Sequence, residues 1–146
     1  MPPWVRVTSL ALTLLGLTVS AYLTFEHYSA SETLACPDTG AVSCLRVTTS
    51  EYSRFLGIPV ALLGLLFFVV VTVLCLPAAW RSTSPLVSGA RLAAVVGGVA
   101  FVLYLVWAEL FLIDAICLWC TVVHAITIVL FAIITLDIAF HPPDPA

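Results

Sequence analysis

Charged positions are spaced so widely along this chain that the stretches between them set its architecture. No charged residue lies between Arg6 and Glu26, Arg54 and Arg81, Arg91 and Glu109, or Asp114 and Asp137. Each apolar stretch approaches the ~20 residues that carry a helix across a hydrocarbon core. Lipid offers no partner for backbone N–H and C=O groups, so segments of this kind are expected to be helical. The pattern predicts helices at roughly residues 5–25, 58–80, 92–112 and 117–140. Pro59 suits the first turn of the second helix, where its missing N–H is not needed. Pro77 predicts a kink or an end near that helix's far side. Gly16 with Ser20, Ala93 with Gly97, and Ala94 with Gly98 repeat a small-xxx-small spacing that lets helix backbones approach closely. Ordinary helix packing accounts for them.

The longest polar interval, roughly residues 26–57, contains Pro37, Gly40 and several Ser and Thr residues. Its more apolar end, Tyr52 to Leu56, is expected to lie as a short amphipathic piece at the membrane interface. The tail from His141 to Ala146 reads as a helix stop. The first helix has the outline of a cleaved leader, with Arg6 followed by an apolar run. No clean small-x-small site follows it, since His27 and Tyr28 precede Ser29 and Ala30, so it is read as a retained span. The expected fold is an all-α integral membrane protein forming a single domain over 1–146. It is a four-transmembrane-helix bundle with one long extracytoplasmic loop between helices 1 and 2.

Composition supports lipid as the solvent. Of 146 residues, 62% are hydrophobic and 9% are charged, with a mean hydropathy of +1.18. A soluble domain of this size lacks the polar surface to cover so much apolar material. There is no lysine, and the net charge of −3 argues against a nucleic-acid partner. Arg6, Arg81 and Arg91 flank the ends opposite the long loop, which carries Arg46 and Arg54 beside Glu26, Glu32, Asp38 and Glu51. That bias places both termini in the cytoplasm and the loop outside, where disulfides persist.

Four of the five cysteines then fall at one edge of the membrane. Cys36 and Cys44 lie in the long loop, and Cys117-Leu-Trp-Cys120 opens the last apolar segment. Residues i and i+3 share a helix face, so the second pair is placed to close a small ring. A helix N-terminus offers positive potential and free N–H groups that stabilise a thiolate, the species that attacks a disulfide. Thr121 rather than His follows the motif, which argues against covalent haem attachment. Three uses remain open: a dithiol electron relay, purely structural disulfides that staple a non-catalytic scaffold, and a metal site. Zinc prefers two short-spaced pairs, and only one pair here is short. Cys75, near the inner end of helix two, reads as a small buried apolar residue.

Other polar residues near the motif carry two readings each. His124 lies four residues beyond Cys120, inside a span, and either bonds a bound carbonyl or delivers a proton, or bonds a neighbouring helix. Ser50 serves the loop as a cap or turn residue, or contacts a ligand. Glu109 and Asp114 flank the motif, either as proton relays or, more commonly for such positions, as interfacial carboxylates. Trp107 and Trp119 suit an aromatic belt, and Trp119 also suits a pocket wall.

The segment Cys36-Pro-Asp-Thr-Gly-Ala-Val-Ser-Cys44-Leu-Arg-Val, with Ser50, then Phe55-Leu-Gly-Ile-Pro59 and Gly64, resembles the loop and second helix of the vitamin K epoxide reductase family. Cys117-Leu-Trp-Cys120-Thr, with His124 one turn on, is similar to that family's active-site helix. The resemblance covers nearly the whole chain. It implies a four-helix bundle holding a quinone near the outer face, of ubiquinone, menaquinone or vitamin K type, and no metal. It implies catalytic roles for Cys36, Cys44, Cys117 and Cys120, with His124, Ser50 and Trp119 as quinone contacts. Cys36 is implied as the outermost thiol and Cys44 as the partner of Cys117.

Bacterial members use the quinone to oxidise a thioredoxin-like partner that puts disulfides into exported proteins. Many carry that partner as a fused domain; here a separate partner is expected. Vertebrate-type enzymes reduce vitamin K epoxide and quinone in the endoplasmic reticulum, and the spacing of Cys36 and Cys44 looks closer to theirs. The absence of a basic C-terminal tail favours a bacterial plasma membrane. DsbB-like proteins are similar in chemistry but have the two cysteine pairs in the reverse order.

Overall fold

A computed structural model describes residues 2–29 and 35–141. Residues 30–34 of the expected redox loop and 142–146 of the expected helix stop lie outside the described residues. The elements are α1 (Pro3–Ser29), α2 (Cys44–Thr49), a 3-10 turn (Glu51–Ser53), β1 (Arg54–Phe55), β2 (Ile58–Pro59), α3 (Val60–Leu74), α4 (Pro77–Arg81), α5 (Pro85–Ala108), a π-helical turn (Glu109–Ile113) and α6 (Leu118–Phe140).

α1 packs inside out. The buried face of α1 is Val5, Ser9, Thr13, Gly16, Val19, Ser20, Leu23 and Glu26, largely small or polar residues. Large apolar side chains such as Leu14, Leu66, Val70, Val73 and Leu103 point outward. In lipid, apolar surface gains nothing by leaving the solvent, so close backbone approach decides which face turns inward. Gly16 shows this directly: a Cβ there would run into the Phe68 ring of α3. Phe68 is fully buried, in a core with Val71, Val95, Leu130 and Ile134. α1 packs on α3 and α6, and α5 packs on α6 and α3. Of the expected small-residue pairs, Gly16 with Ser20 faces α3, and Gly98 abuts Phe67 and Thr127, whereas Gly97 opens to free space.

Three helices are long and apolar enough to cross a membrane: Pro3–Ser29, Pro85–Ile113 and Leu118–Phe140. The expected second span, 58–80, is divided. α3 ends at Leu74, and Pro77 starts the short α4 after a break at Cys75 and Leu76. Fifteen residues give a helix of about 22 Å, short of a ~30 Å hydrocarbon core.

The expected third helix, 92–112, begins earlier, at Pro85, which sits in its first turn. Arg91, expected at the membrane edge opposite the loop, is buried. Its Nε donates to the Leu74 carbonyl at 3.0 Å, and its guanidinium lies 3.5 Å over the Trp80 ring. Those contacts cap the broken end of α3.

The expected amphipathic piece at Tyr52 to Leu56 is instead the 3-10 turn running into a hairpin. Arg54 pairs with Pro59 and Phe55 with Ile58. Leu56 (φ 52°) and Gly57 (φ 82°) are both left-handed, as a two-residue hairpin loop of this twist requires. Glycine accepts that conformation freely. Leu56 accepts it at a cost of about 1–2 kcal/mol and leaves its side chain 89% exposed.

Candidate functional site

The redox loop is joined to the start of α6 through backbone. Thr39 and Val42 close a turn on each other, with Gly40 at φ 60°. Ile116 N–H then donates to Ala41 O at 2.8 Å, and Ser43 N–H donates to Ile116 O at 3.1 Å, a parallel bridge between Val42 and Ile116. Immediately after the bridge, each chain starts a helix with a cysteine. Ser43 caps α2 by accepting from Arg46 N–H at 3.4 Å, so Cys44 is its first residue. Cys117 caps α6, its sulfur accepting from Cys120 N–H at 3.3 Å. The guanidinium of Arg46 adds a bond to Ile113 O at 3.1 Å.

Cys44 and Cys117 are buried together in a cluster with Val47 and Ala115, and Cys36, Cys120 and Trp119 pack against it. Four cysteines from separate parts of the sequence thus share one packed cluster. Cys36 and Cys44 form a disulfide, while Cys117 and Cys120 are free thiols. Cys117, one residue before its span, is held below the usual thiol range. The Cys120 side chain donates to its sulfur, and the Cys120 and Trp119 backbone N–H groups add to this, against opposition from burial and Glu109.

Beside the sulfurs lies a cavity of ≈ 980 Å³, walled by α1, α3, α5 and α6 and roofed by α2 and the 3-10 turn. Cys120, His124, Glu109, Ser50, Phe67 and Gly97 are among its lining residues. The open side of Gly97 noted above faces this space. The volume is that of a small-molecule site, and a mostly apolar wall with a few convergent polar groups is the usual composition of one. An apolar ring carrying two carbonyls fits this donor set: His124, buried, and the Cys120 thiol both reach the cavity.

The sequence-predicted contacts separate here. His124 and Ser50 line the cavity, although the Ser50 hydroxyl donates to Val47 O at 2.8 Å and so also closes α2. Trp119 is not among the lining residues. Its indole N–H donates to Ala35 O at 3.0 Å, and its ring meets Tyr22 edge-on at 5.5 Å. The Tyr22 hydroxyl accepts from Ala35 N–H at 3.2 Å, so both rings hold Ala35, the residue before Cys36. Trp107 is half-exposed on α5.

Of the two expectations for Glu109, proton relay or interfacial carboxylate, its position departs from the commoner second one: it is buried against the site. The π turn at the end of α5 turns it inward, and Ala115 N–H closes back on its carbonyl at 3.1 Å. No spacing rule announces a π turn, so nothing in the sequence distinguishes this carboxylate from an exposed one. Cys75 is buried in the core at the break after α3, apart from the other four.

Residues 7–135 match the model of the Vitamin K epoxide reductase family, which is most of the chain. At the level of that family the chain is a thiol oxidoreductase, embedded in a membrane, of a kind linked to quinone substrates and thiol-exchange partners.

Proposed function

The chain belongs to the vitamin K epoxide reductase family, and we propose that it oxidises a thioredoxin-like thiol partner and passes the electrons to a membrane quinone, supporting disulfide formation. The observation that carries this reading is the shared cluster of Cys36, Cys44, Cys117 and Cys120 beside a cavity that Cys120 and His124 line.

A reduced partner attacks the Cys36–Cys44 disulfide at Cys36, the more accessible sulfur. The Cys44 thiolate released by that step attacks the oxidised Cys117–Cys120 pair at Cys117, beside which it is buried. The partner's second thiol frees Cys36, whose thiolate attacks Cys44 and releases Cys117; the Cys117–Cys120 dithiol, with Cys120 facing the cavity, then delivers the electron pair as its S–S bond re-forms. Each exchange passes through a mixed disulfide, with the electron pair moving onto the leaving sulfur. A tenfold preference in direction needs only about 30 mV between successive couples. His124 is placed to hydrogen-bond a quinone carbonyl, and the apolar wall excludes water from the reacting sulfur. The quinone, when bound, supplies the two-electron acceptor.

In this reading the bundle spans the membrane four times, with α3 and α4 together making the second crossing. Both termini face the cytoplasm, and the cysteines face outward from a bacterial plasma membrane. A vitamin K epoxide or quinone reductase of vertebrate type runs the same residues on a different oxidant.

Trapping tests the proposal. Cys36→Ser and Cys44→Ser, each alone, are expressed in cells, and proteins disulfide-linked to the surviving loop cysteine are identified. Recovery of a thioredoxin-like protein with Cys44→Ser supports the oxidase role. Purified wild type should also reduce a short-chain ubiquinone or menaquinone when given a dithiol. A non-catalytic scaffold stapled by disulfides would reduce neither and would only lose stability in reductant.

A further inference from the structure

Glu109 has the position and the freedom to move a proton. A π turn inside a membrane helix is unusual, and such turns are often found at functional sites. Here the turn Glu109–Ile113 ends in Asp114 at φ 52°, a conformation Asp tolerates better than most residues. The result places a carboxyl, 6% exposed, on the wall of the cavity that Cys120 and His124 also line. Cys117 lies within electrostatic reach of the same carboxyl. Among the described residues Glu109 makes no ion pair. The ionisable groups that share its surroundings are Cys117, Cys120 and His124 from α6, Glu26 and His27 from α1, and Glu51, Tyr52 and Arg54 at the loop-side mouth. A buried carboxylate without a cation is costly to maintain, and it is useful where protons must cross from a sulfur to an apolar cavity.

Building on the quinone-reducing reading above, we propose that Glu109 carries the Cys117 thiol proton into the cavity and gives it to a quinone oxygen. Oxidation of the Cys117–Cys120 dithiol forms one S–S bond and releases two electrons and two protons. Both electrons end on the quinone, and its two oxygens receive one proton each, giving the quinol. Cys120 already lines the cavity and releases its own proton there. Cys117 is fully buried behind it and needs an intermediary. The Glu109 carboxylate accepts that proton and passes it on, and so ends as it began.

The test uses the full chain in lipid nanodiscs. Its Cys117–Cys120 pair is pre-reduced and mixed rapidly with a short-chain ubiquinone. Glu109→Gln should slow quinone reduction about 10²-fold, the lower range for loss of a general acid–base group. Glu109→Asp should recover most of the rate, and wild type should show a solvent deuterium isotope effect that changes in Glu109→Gln. Dithiol exchange at Cys36–Cys44 should be unaltered.

A second readout needs no quinone. In a Cys120→Ala background, N-ethylmaleimide should modify Cys117 about threefold faster when Glu109→Gln is added, because removing a nearby negative charge favours the thiolate. Quinone reduction at the wild-type rate in Glu109→Gln overturns the proposal, and so does a parallel loss of alkylation, the mark of a collapsed site. A wild-type chain that reduces no quinone while the alkylation difference holds overturns the parent reading instead.

Discussion

Ser43 donates its backbone N–H to the carbonyl of Ile116 at 3.1 Å, and each residue is followed by a buried cysteine. This single bond sets the register between the loop and the last helix. Side by side after it come Cys44 and Cys117, so the register decides which sulfurs meet. In a Cys36→Ala, Cys120→Ala variant, mild oxidant should produce one intramolecular Cys44–Cys117 disulfide, seen as a gel shift that reductant reverses. Faster crosslinking of Cys36 to Cys117 in Cys44→Ala, Cys120→Ala would reverse the assigned order of exchange.

The ionisation of Cys117 depends first on Cys120, whose side chain donates to its sulfur. The depressed value means that the thiolate persists to lower pH than in an ordinary thiol of ~8.5. For an acid lowered on folding, the associated stabilisation is present above the unfolded value and is lost as pH falls through the folded one. Alkylation of Cys117 against pH should therefore show a midpoint below the ordinary thiol value in reduced wild type, moving upward in Cys120→Ala. An unchanged midpoint would mean that the helix N-terminus alone sets it.

Trp119 holds the entry to Cys36 rather than the cavity wall. Trp119→Phe keeps a ring against Tyr22 but removes the donor to Ala35 O, a loss of about 0.5–1.5 kcal/mol. Reduction of Cys36–Cys44 by a small dithiol should become faster, while the apparent quinone KM stays constant. A raised KM with unchanged disulfide reduction would return Trp119 to the quinone pocket.

Gly16 and Phe68 test the inside-out packing. Gly16→Ala places a methyl where the Phe68 ring lies, and overpacking of this kind costs about 1–3 kcal/mol. Thermal unfolding in detergent should show the loss, and Phe68→Leu combined with Gly16→Ala should recover part of it. Strict additivity in the double variant would mean that the two residues do not touch.

Arg91 secures the break after α3 through Leu74 O and Trp80, and Asp137 lies within electrostatic reach. Arg91→Met frees the carbonyl and removes the guanidinium from the surroundings of the buried Asp137, which is left with His141 at 3.5 Å, so the melting temperature should fall. Adding Asp137→Asn should restore part of the loss, because a poorly compensated buried charge is the larger fault. Cys75→Ala, at the same break, should leave thiol cycling nearly intact. A large loss there would assign Cys75 to the relay.

Hydropathy alone determined that the chain is helical and membrane-embedded, since lipid admits few alternatives for an uncharged stretch of this length. Cysteine spacing alone determined that Cys117 and Cys120 share the start of a helix. Local rules also located Pro77 at a break, and they put Pro59 in the first turn of the second helix, where the structure makes it the residue just before α3. They do not specify which side chain a helix turns inward when every face is apolar, nor where a helix widens into a π turn.

Tertiary structure decided that Arg91 is buried, that Trp119 straps the loop, that Glu109 reaches the cavity, and that Cys44 rather than Cys36 is buried beside Cys117. Each of these rests on contacts between residues far apart in sequence. In lipid such contacts are chosen by close packing and backbone hydrogen bonds rather than by a periodic pattern of polar and apolar residues.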